Sequence, residues 1–305
     1  MPIGHNDCPG CPYEQWCADE MGPDDASAAI TLGRLSTREW RMLRRMGFGT
    51  VETFSALDPD DPVFFEEYHP EVSHLGRVDA LNRLRRAVQQ VRLYRDGIDL
   101  EPRAGVRVEV PRADVEIDFD IEWDTDQRIY QWGLRIRDGQ DDATARYDPV
   151  VSFDALDDAA ELALAEQAAA RIAELRADAE KDGKTVAVYH WSSVERTRTS
   201  KFDRVVAALD GITVDLLTWF SATFRVQGSA GIKSVAPRFG FEWAVDDPGG
   251  RLSMLKIEVA RGDGPEAVEA QEWCRRYNES DVAAQAMIRD GVRARFPHVD
   301  VSPAP

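Results

Sequence analysis

Residues 115–123 read VEIDFDIEW, in which Ile117, Phe119, Ile121 and Trp123 alternate with Glu116, Asp118, Asp120 and Glu122. Alternation of this period predicts a strand, whose successive side chains point to opposite sides. The apolar residues then share one side and four carboxylates the other. Like charges crowded on one face repel, and nothing nearby in the sequence is expected to neutralise them. An acidic, solvent-facing side is the commoner origin of such a pattern. The flanking apolar residues are bulky, however, which predicts a central strand covered on both sides and favours a cation among the acids. Asp120 and Glu122, two residues apart, project together and can share one hard metal ion through oxygen.

The neighbouring sequence extends the sheet. VRVEV (106–110) and RIYQWGLRIRDG (128–139) alternate in the same way, and a further strand is expected near 145–153. The long run 154–183 predicts a helix that ends at Gly183 and leads into TVAVYHW (185–191), a short apolar strand. Helical segments are expected around 193–209 and 213–224, and two helices, 265–278 and 280–296, close the sequence. Antiparallel strands followed by helix–strand–helix predict an α/β fold, a mixed sheet flanked by helices.

Before residue 105 the character differs. Residues 1–30 are rich in Cys, Pro and Gly and need a staple to be ordered. Residues 31–104 read as a small all-α region. Ser36 and Glu39 form a capping-box pattern, a first helix is expected to end near Gly47, and a second to start at Thr50. Helix, short Gly-containing turn, helix resembles a helix-hairpin-helix, a module that often holds nucleic-acid backbone through its turn amides. A third helix is expected over 78–97.

Charge is unevenly spread. The chain of 305 residues carries a formal net charge of −18, which is unfavourable for binding a phosphate backbone by bulk attraction. Yet 33–45 carries Arg34, Arg38, Arg41, Arg44 and Arg45 against Glu39, and 83–95 carries Arg83, Arg85, Arg86, Arg92 and Arg95 with no acid. Solvated arginines on amphipathic helices explain this; beside a nuclease site, Arg41, Arg44, Arg45, Arg85 and Arg86 become candidate phosphate contacts. No run of about 18 apolar residues predicts a membrane span. No secretory signal is visible at the start, so a cytoplasmic location is expected.

Two further clusters carry potential chemistry. HWSSVE (190–195) begins where the strand 185–191 ends, placing His190 and Glu195 at a carboxyl edge, where α/β sites form. Glu195 alone reads equally as a surface helix residue. YNESD (277–281) puts Tyr277 and Asp281 one helical turn apart. The same residues also read as a helix start, with Asn278 or Ser280 as the cap.

The order and spacing of FDIEW (119–123), AVYHWSSVE (187–195), VDLLTW (214–219), GIKSVAPRFGFEW (231–243) and YNESDV (277–282) resemble the DEDD exonucleases of the RNase H-like superfamily, nearest the type with a catalytic tyrosine. More narrowly, 105–305 looks like the RNase H-like exonuclease domain of bacterial RecB-like nucleases. The resemblance implies a 3′–5′ exonuclease that hydrolyses DNA with two Mg2+ or Mn2+ ions. It makes Asp120, Glu122, Glu195 and Asp281 the metal ligands, and Tyr277 the residue that positions the attacking water. Asp215 is the second choice for the role of Glu195, because the family's second motif has Asn and Asp where this chain has His190 and Glu195. His190 and Lys233 are candidate nucleic-acid contacts, although a lone Lys before an apolar run is more often structural. A nucleic-acid-binding scaffold with weak or no activity, and an RNase H-type endonuclease, are the rival functions.

Cys8, Cys11 and Cys17 are spaced C-x2-C-x5-C. Thiolate metal ligation is expected over disulfides in a cytoplasmic protein. The spacing resembles the last three ligands of the [4Fe–4S] cluster in iron–sulfur RecB-like nucleases, whose first cysteine lies far upstream. The resemblance therefore implies a shortened relative, a fragment or half of a split protein, partnered by a RecB-like nuclease or helicase. The fourth ligand is His5, Cys274 or a partner's cysteine; a zinc site and an empty motif are the alternatives.

Overall fold

The structure, a computed structural model, describes residues 2–4, 11–29, 35–246 and 249–302. It divides into two compact units, one of residues 1–102 with 224–229, the other of 103–223 with 230–305. Residues 224–229, expected within the single stretch 105–305, belong to the first unit.

The first unit begins with α1 (Glu14–Met21) and α2 (Ala26–Ala29), followed by α3 (Thr37–Arg45) and α4 (Val51–Ala56). Ser36 caps α3 in the expected capping box, its hydroxyl accepting from the Glu39 amide while Glu39 accepts from the Ser36 amide. Then come α5 (Pro62–Tyr68), α6 (Arg77–Arg95) and the short strand β1 (Leu100–Pro102). Trp40, Leu43, Phe54, Tyr68, Leu84 and Val91 form its core.

The second unit starts with β2 (Glu109–Pro111), β3 (Val115–Trp123), β4 (Ile129–Asp138), β5 (Asp141–Tyr147) and β6 (Val150–Val151). Helix α7 (Asp158–Lys181) is capped by Asp157, which accepts from the Ala160 amide at 2.8 Å, and leads to β7 (Val186–His190). Next are α8 (Val194–Thr199), α9 (Asp203–Leu209), β8 (Thr213–Asp215) and α10 (Leu216–Thr223). Strand β9 (Phe224–Val226) pairs antiparallel with β1 in the first unit. The chain ends with α11 (Ile232–Val235), α12 (Gly250–Ala260), α13 (Pro265–Arg295) and β10 (Val299–Val301).

The principal sheet has the order β5-β4-β3-β7-β8, with β6 also on β4. β3, β4 and β5 are antiparallel, whereas β7 and β8 run parallel to β3. This is the expected mixed α/β sheet with β3 at its centre. The expected strand 106–110 is shorter, and it pairs with β10 in a small separate sheet. Ile117, Phe119 and Ile121 pack with Trp132, Leu134 and Ile136 of β4 and with Leu164, Ala168 and Ile172 of α7. Burying each such side chain stabilises by about 1.5–3 kcal/mol.

The opposite face of β3 is also buried. Antiparallel register sets Glu116 against Arg137 and Asp118 against Arg135. Arg137 Nη2 lies 2.7 Å from Glu116 Oε2. From above, Arg289 of α13 bonds Glu116 at 3.0 Å and Asp118 at 2.5 Å. Arg137, Arg289, Glu116 and Asp118 are all 0 % exposed. The repulsion expected along β3 is thus offset by arginines supplied from β4 and α13.

Helix α13 is one unbroken helix, where the sequence predicted two separated at 279. Asn278 and Ser280 are not caps. Asn278 points into the unit, and the Ser280 hydroxyl donates to the Arg276 carbonyl at 2.7 Å. Tertiary partners satisfy side chains that otherwise favour a helix end.

Arg289→Met would leave Glu116 and Asp118 buried with one cation fewer. It should cost about 3–5 kcal/mol, measured by urea denaturation. An unchanged midpoint would remove the network as the tie between α13 and the sheet.

Candidate metal centre

Along the polar face of β3 the compensation stops after Asp118. Opposite Asp120 stands Gly133 and opposite Glu122 stands Gln131, neither of them charged. Asp281, from the middle of α13, comes down onto this uncompensated end. Asp120, Glu122 and Asp281 place carboxylate oxygens within 4.8 Å of one another, a spacing able to hold a metal ion. Among the described residues they form the one such group. The donors are all hard oxygens, which suits Mg2+, Mn2+ or Ca2+ over softer ions.

Each carboxylate is held by a neutral group. Asn278 donates to Asp120 Oδ2 at 2.8 Å, and accepts from the Tyr147 hydroxyl, which accepts in turn from Gln131. Gly133 makes this possible, because a Cβ there would overlap the Asn278 carboxamide. Ser253 of α12, fully buried, donates to Glu122 Oε2 at 2.7 Å and meets the Tyr130 hydroxyl at 3.0 Å. Trp243 Nε1 donates to Asp281 Oδ1 at 2.7 Å, and the Lys233 ammonium is bonded to the same oxygen.

Crowding and burial shift the acids. Burial, then the Asp281 carboxylate, pushes Glu122 up to about 8. Burial, followed by Glu122, Asp281 and Glu195, raises Asp120 well above the usual carboxylate range. Tyr277 is raised as well, by burial and then by the Asp281 carboxylate. It is a neutral phenol at any working pH. Its ring stacks on Trp273 with centroids 5.0 Å apart.

The other expected residues divide. Glu195, on α8, is close enough to raise Asp120 and Glu122 but lies outside the group of three. It accepts from the Ser192 hydroxyl at 3.2 Å and has His190 Nδ1 3.7 Å away. Ser192 has φ 137°, a strained backbone for a non-glycine residue. His190, expected at nucleic acid, is buried with its Nδ1 on the Ser192 carbonyl. Asp215 caps α10 by accepting from the Thr218 amide at 2.9 Å, so the second-choice ligand has a structural role. Lys233, expected at nucleic acid, is at Asp281.

In the first unit, Arg44 binds Asp25 and the Pro2 carbonyl, and Arg85 binds Asp60; both are engaged within the unit. Arg41, Arg45 and Arg86 are exposed. The hairpin amides are also occupied: Gly47 donates to Arg44, Phe48 to Leu43, Thr50 to Thr53 and Val51 to Asp24. The turn therefore lacks these amides for phosphate. Cys8 and His5 lie outside the described residues. Cys11 and Cys17 are free and half-buried. Cys274 is fully buried in the core of the second unit, where burial pushes its thiol up to about 11.

Asn278 and Ser253, which orient the acids, were absent from the sequence reading. Asn278 was legible only as a cap, and Ser253 carries no local signal. No family model matches the chain, and no curated protein and no solved structure matches it either.

Without metal, the Glu122 carboxyl raised to about 8 stabilises the fold at acid pH, and that contribution is lost as pH rises through 8. Denaturation should show a few kcal/mol less stability at pH 9 than at pH 6, the difference shrinking in Glu122→Gln. Gly133→Ala should displace Asn278 and weaken Mn2+ binding about 10–100-fold by titration calorimetry.

Proposed function

We propose that this protein is a metal-dependent nuclease, acting as a 3′–5′ exonuclease on DNA. The observation that carries the reading is the convergence of Asp120, Glu122 and Asp281 beside the Tyr277 hydroxyl. Three crowded carboxylates, Glu122 and Asp281 buried and Asp120 half-buried, are costly unless a cation or protons neutralise them. Mg2+ or Mn2+ held there would lower the pKa of a bound water and offset charge on a phosphodiester. The order of antiparallel strands, helix and parallel strands agrees with an RNase H-like reading of 105–305.

The chain's own groups have separable tasks. Asn278 and Ser253 fix the rotamers of Asp120 and Glu122, so the acids need not reorganise when a cation arrives. Tyr277, kept protonated, offers a hydroxyl at the edge of the carboxylate group and would orient the attacking water. Glu195 stands beside the set and accepts from Ser192 instead of joining the three. Arg41, Arg45 and Arg86 would add phosphate contacts.

A second reading, a DNA-binding scaffold without turnover, is favoured by one observation. The Lys233 ammonium already bonds Asp281 and offsets part of the cluster's charge. An assay with 5′-end-labelled single- and double-stranded DNA and Mn2+ separates the two. The nuclease should shorten the labelled strand stepwise from its 3′ end, and Asp120→Asn should lose more than about a hundredfold in rate. Binding without cleavage would establish the scaffold reading. Internal cuts confined to an RNA–DNA hybrid would point to an RNase H-type endonuclease.

A further inference from the structure

We infer that Lys233 is a built-in second cation of this centre, so that the site takes one divalent ion instead of two and presents the Lys233 ammonium to a substrate phosphate. The inference rests on the reading above and narrows it.

The ammonium is held from three directions. It bonds Asp281 Oδ1 and lies 4.5 Å from the ring centroids of both Trp243 and Tyr277. Two aromatic faces and a carboxylate make a fixed seat for a cation, unlike the open surroundings of a surface lysine. Its backbone is pinned on both sides. Upstream, Trp191 Nε1 donates to the Ala230 carbonyl at 3.2 Å. Downstream, Val235 and Ala236 are fully buried, and the Phe239 ring fills the space left by the missing side chain of Gly291 on α13. Lys233 nevertheless keeps 34 % of its side chain exposed, so it is open to an arriving anion.

Ligand supply argues the same way. Asp281 Oδ1 already accepts from Lys233 and from Trp243, which leaves Oδ2 for a metal. Glu195, the carboxylate that a second ion would need, is turned to Ser192 and stands outside the group of three. Charge balance agrees. Three ionised carboxylates carry three negative charges, and one divalent ion with one ammonium carries three positive. A second divalent ion would need the fourth carboxylate, Glu195, brought in to balance it.

The test is titration calorimetry of the full chain with Mn2+, with bound ion counted by electron paramagnetic resonance. Wild type should bind one Mn2+ per chain. Lys233→Met, checked for folding by circular dichroism, should hold the ion at least about tenfold more tightly, since a cation a few ångströms away is gone. It should also bind a phosphorothioate-capped single-stranded oligonucleotide about tenfold more weakly. Tighter metal with weaker DNA is a split that a purely structural lysine would not produce. Two Mn2+ per wild-type chain, or unchanged Mn2+ and DNA affinities in Lys233→Met, would overturn the inference and leave the metal centre standing. Wild-type stoichiometry decides by itself if the variant does not fold. Absence of Mn2+ binding by wild type would end the metal-centre reading, and the inference with it.

Discussion

The buried pairing of Glu116 and Asp118 with Arg137 and Arg289 governs how the second unit is put together. An ionised carboxylate taken out of water costs several kcal/mol, and two on one strand cost more. The arginines repay this only while their forks stay in register with both acids. That requirement ties α13 to β3 at one azimuth and one height, more strictly than apolar packing would. Asp290 and Arg293 extend the network outward, with Arg137 2.6 Å from Asp290 and Arg293 2.8 Å from Asp300.

The candidate centre is what remains of the same strand face beyond the reach of those arginines. Once Arg289 is seated, Asp281 and Asn278, two and three turns earlier on α13, fall over Glu122 and Asp120. No arginine stands opposite these acids on β4; Gly133 admits the Asn278 carboxamide, and Gln131 supports it through Tyr147. A single strand therefore carries two kinds of acid. Those at 116 and 118 are paired with arginines, although burial still raises Asp118 from its ordinary value. Those at 120 and 122 are held by neutral donors, which orient them without cancelling their charge, and this is why burial and mutual repulsion raise their affinity for protons. Affinity for a proton and for a hard cation have the same electrostatic origin.

The first unit spends most of its polar groups on itself. Glu39 accepts from the Ser36 amide, the Tyr68 hydroxyl and Arg83, and Arg92 donates to the Ser55 and Leu57 carbonyls. A basic sequence composition is thus a poor measure of free positive surface, because a guanidinium that closes a loop carbonyl or a buried acid is less free to meet a phosphate. The same holds for the hairpin turn, whose amides terminate one helix and begin the next.

The sequence by itself determined the strand at 115–123, its alternation, and the candidacy of Asp120, Glu122, Tyr277 and Asp281. These follow from the two-residue period of a strand and the one-turn spacing of a helix, both set within a few residues. Only the tertiary structure decided which acids were neutralised, since that depends on register between β3 and β4 and on Arg289, 171 residues from Asp118. It also decided that α13 runs through YNESD without a break, because Asn278 and Ser280 find partners in space that outweigh their local preference for a helix end. Asp215 and Cys274 were eligible as ligands by residue type and His190 as a nucleic-acid contact; in the structure a helix cap, the apolar core and a backbone carbonyl hold them. Residue type sets what a side chain can bind, and the neighbours brought by folding set whether it is still free to do so.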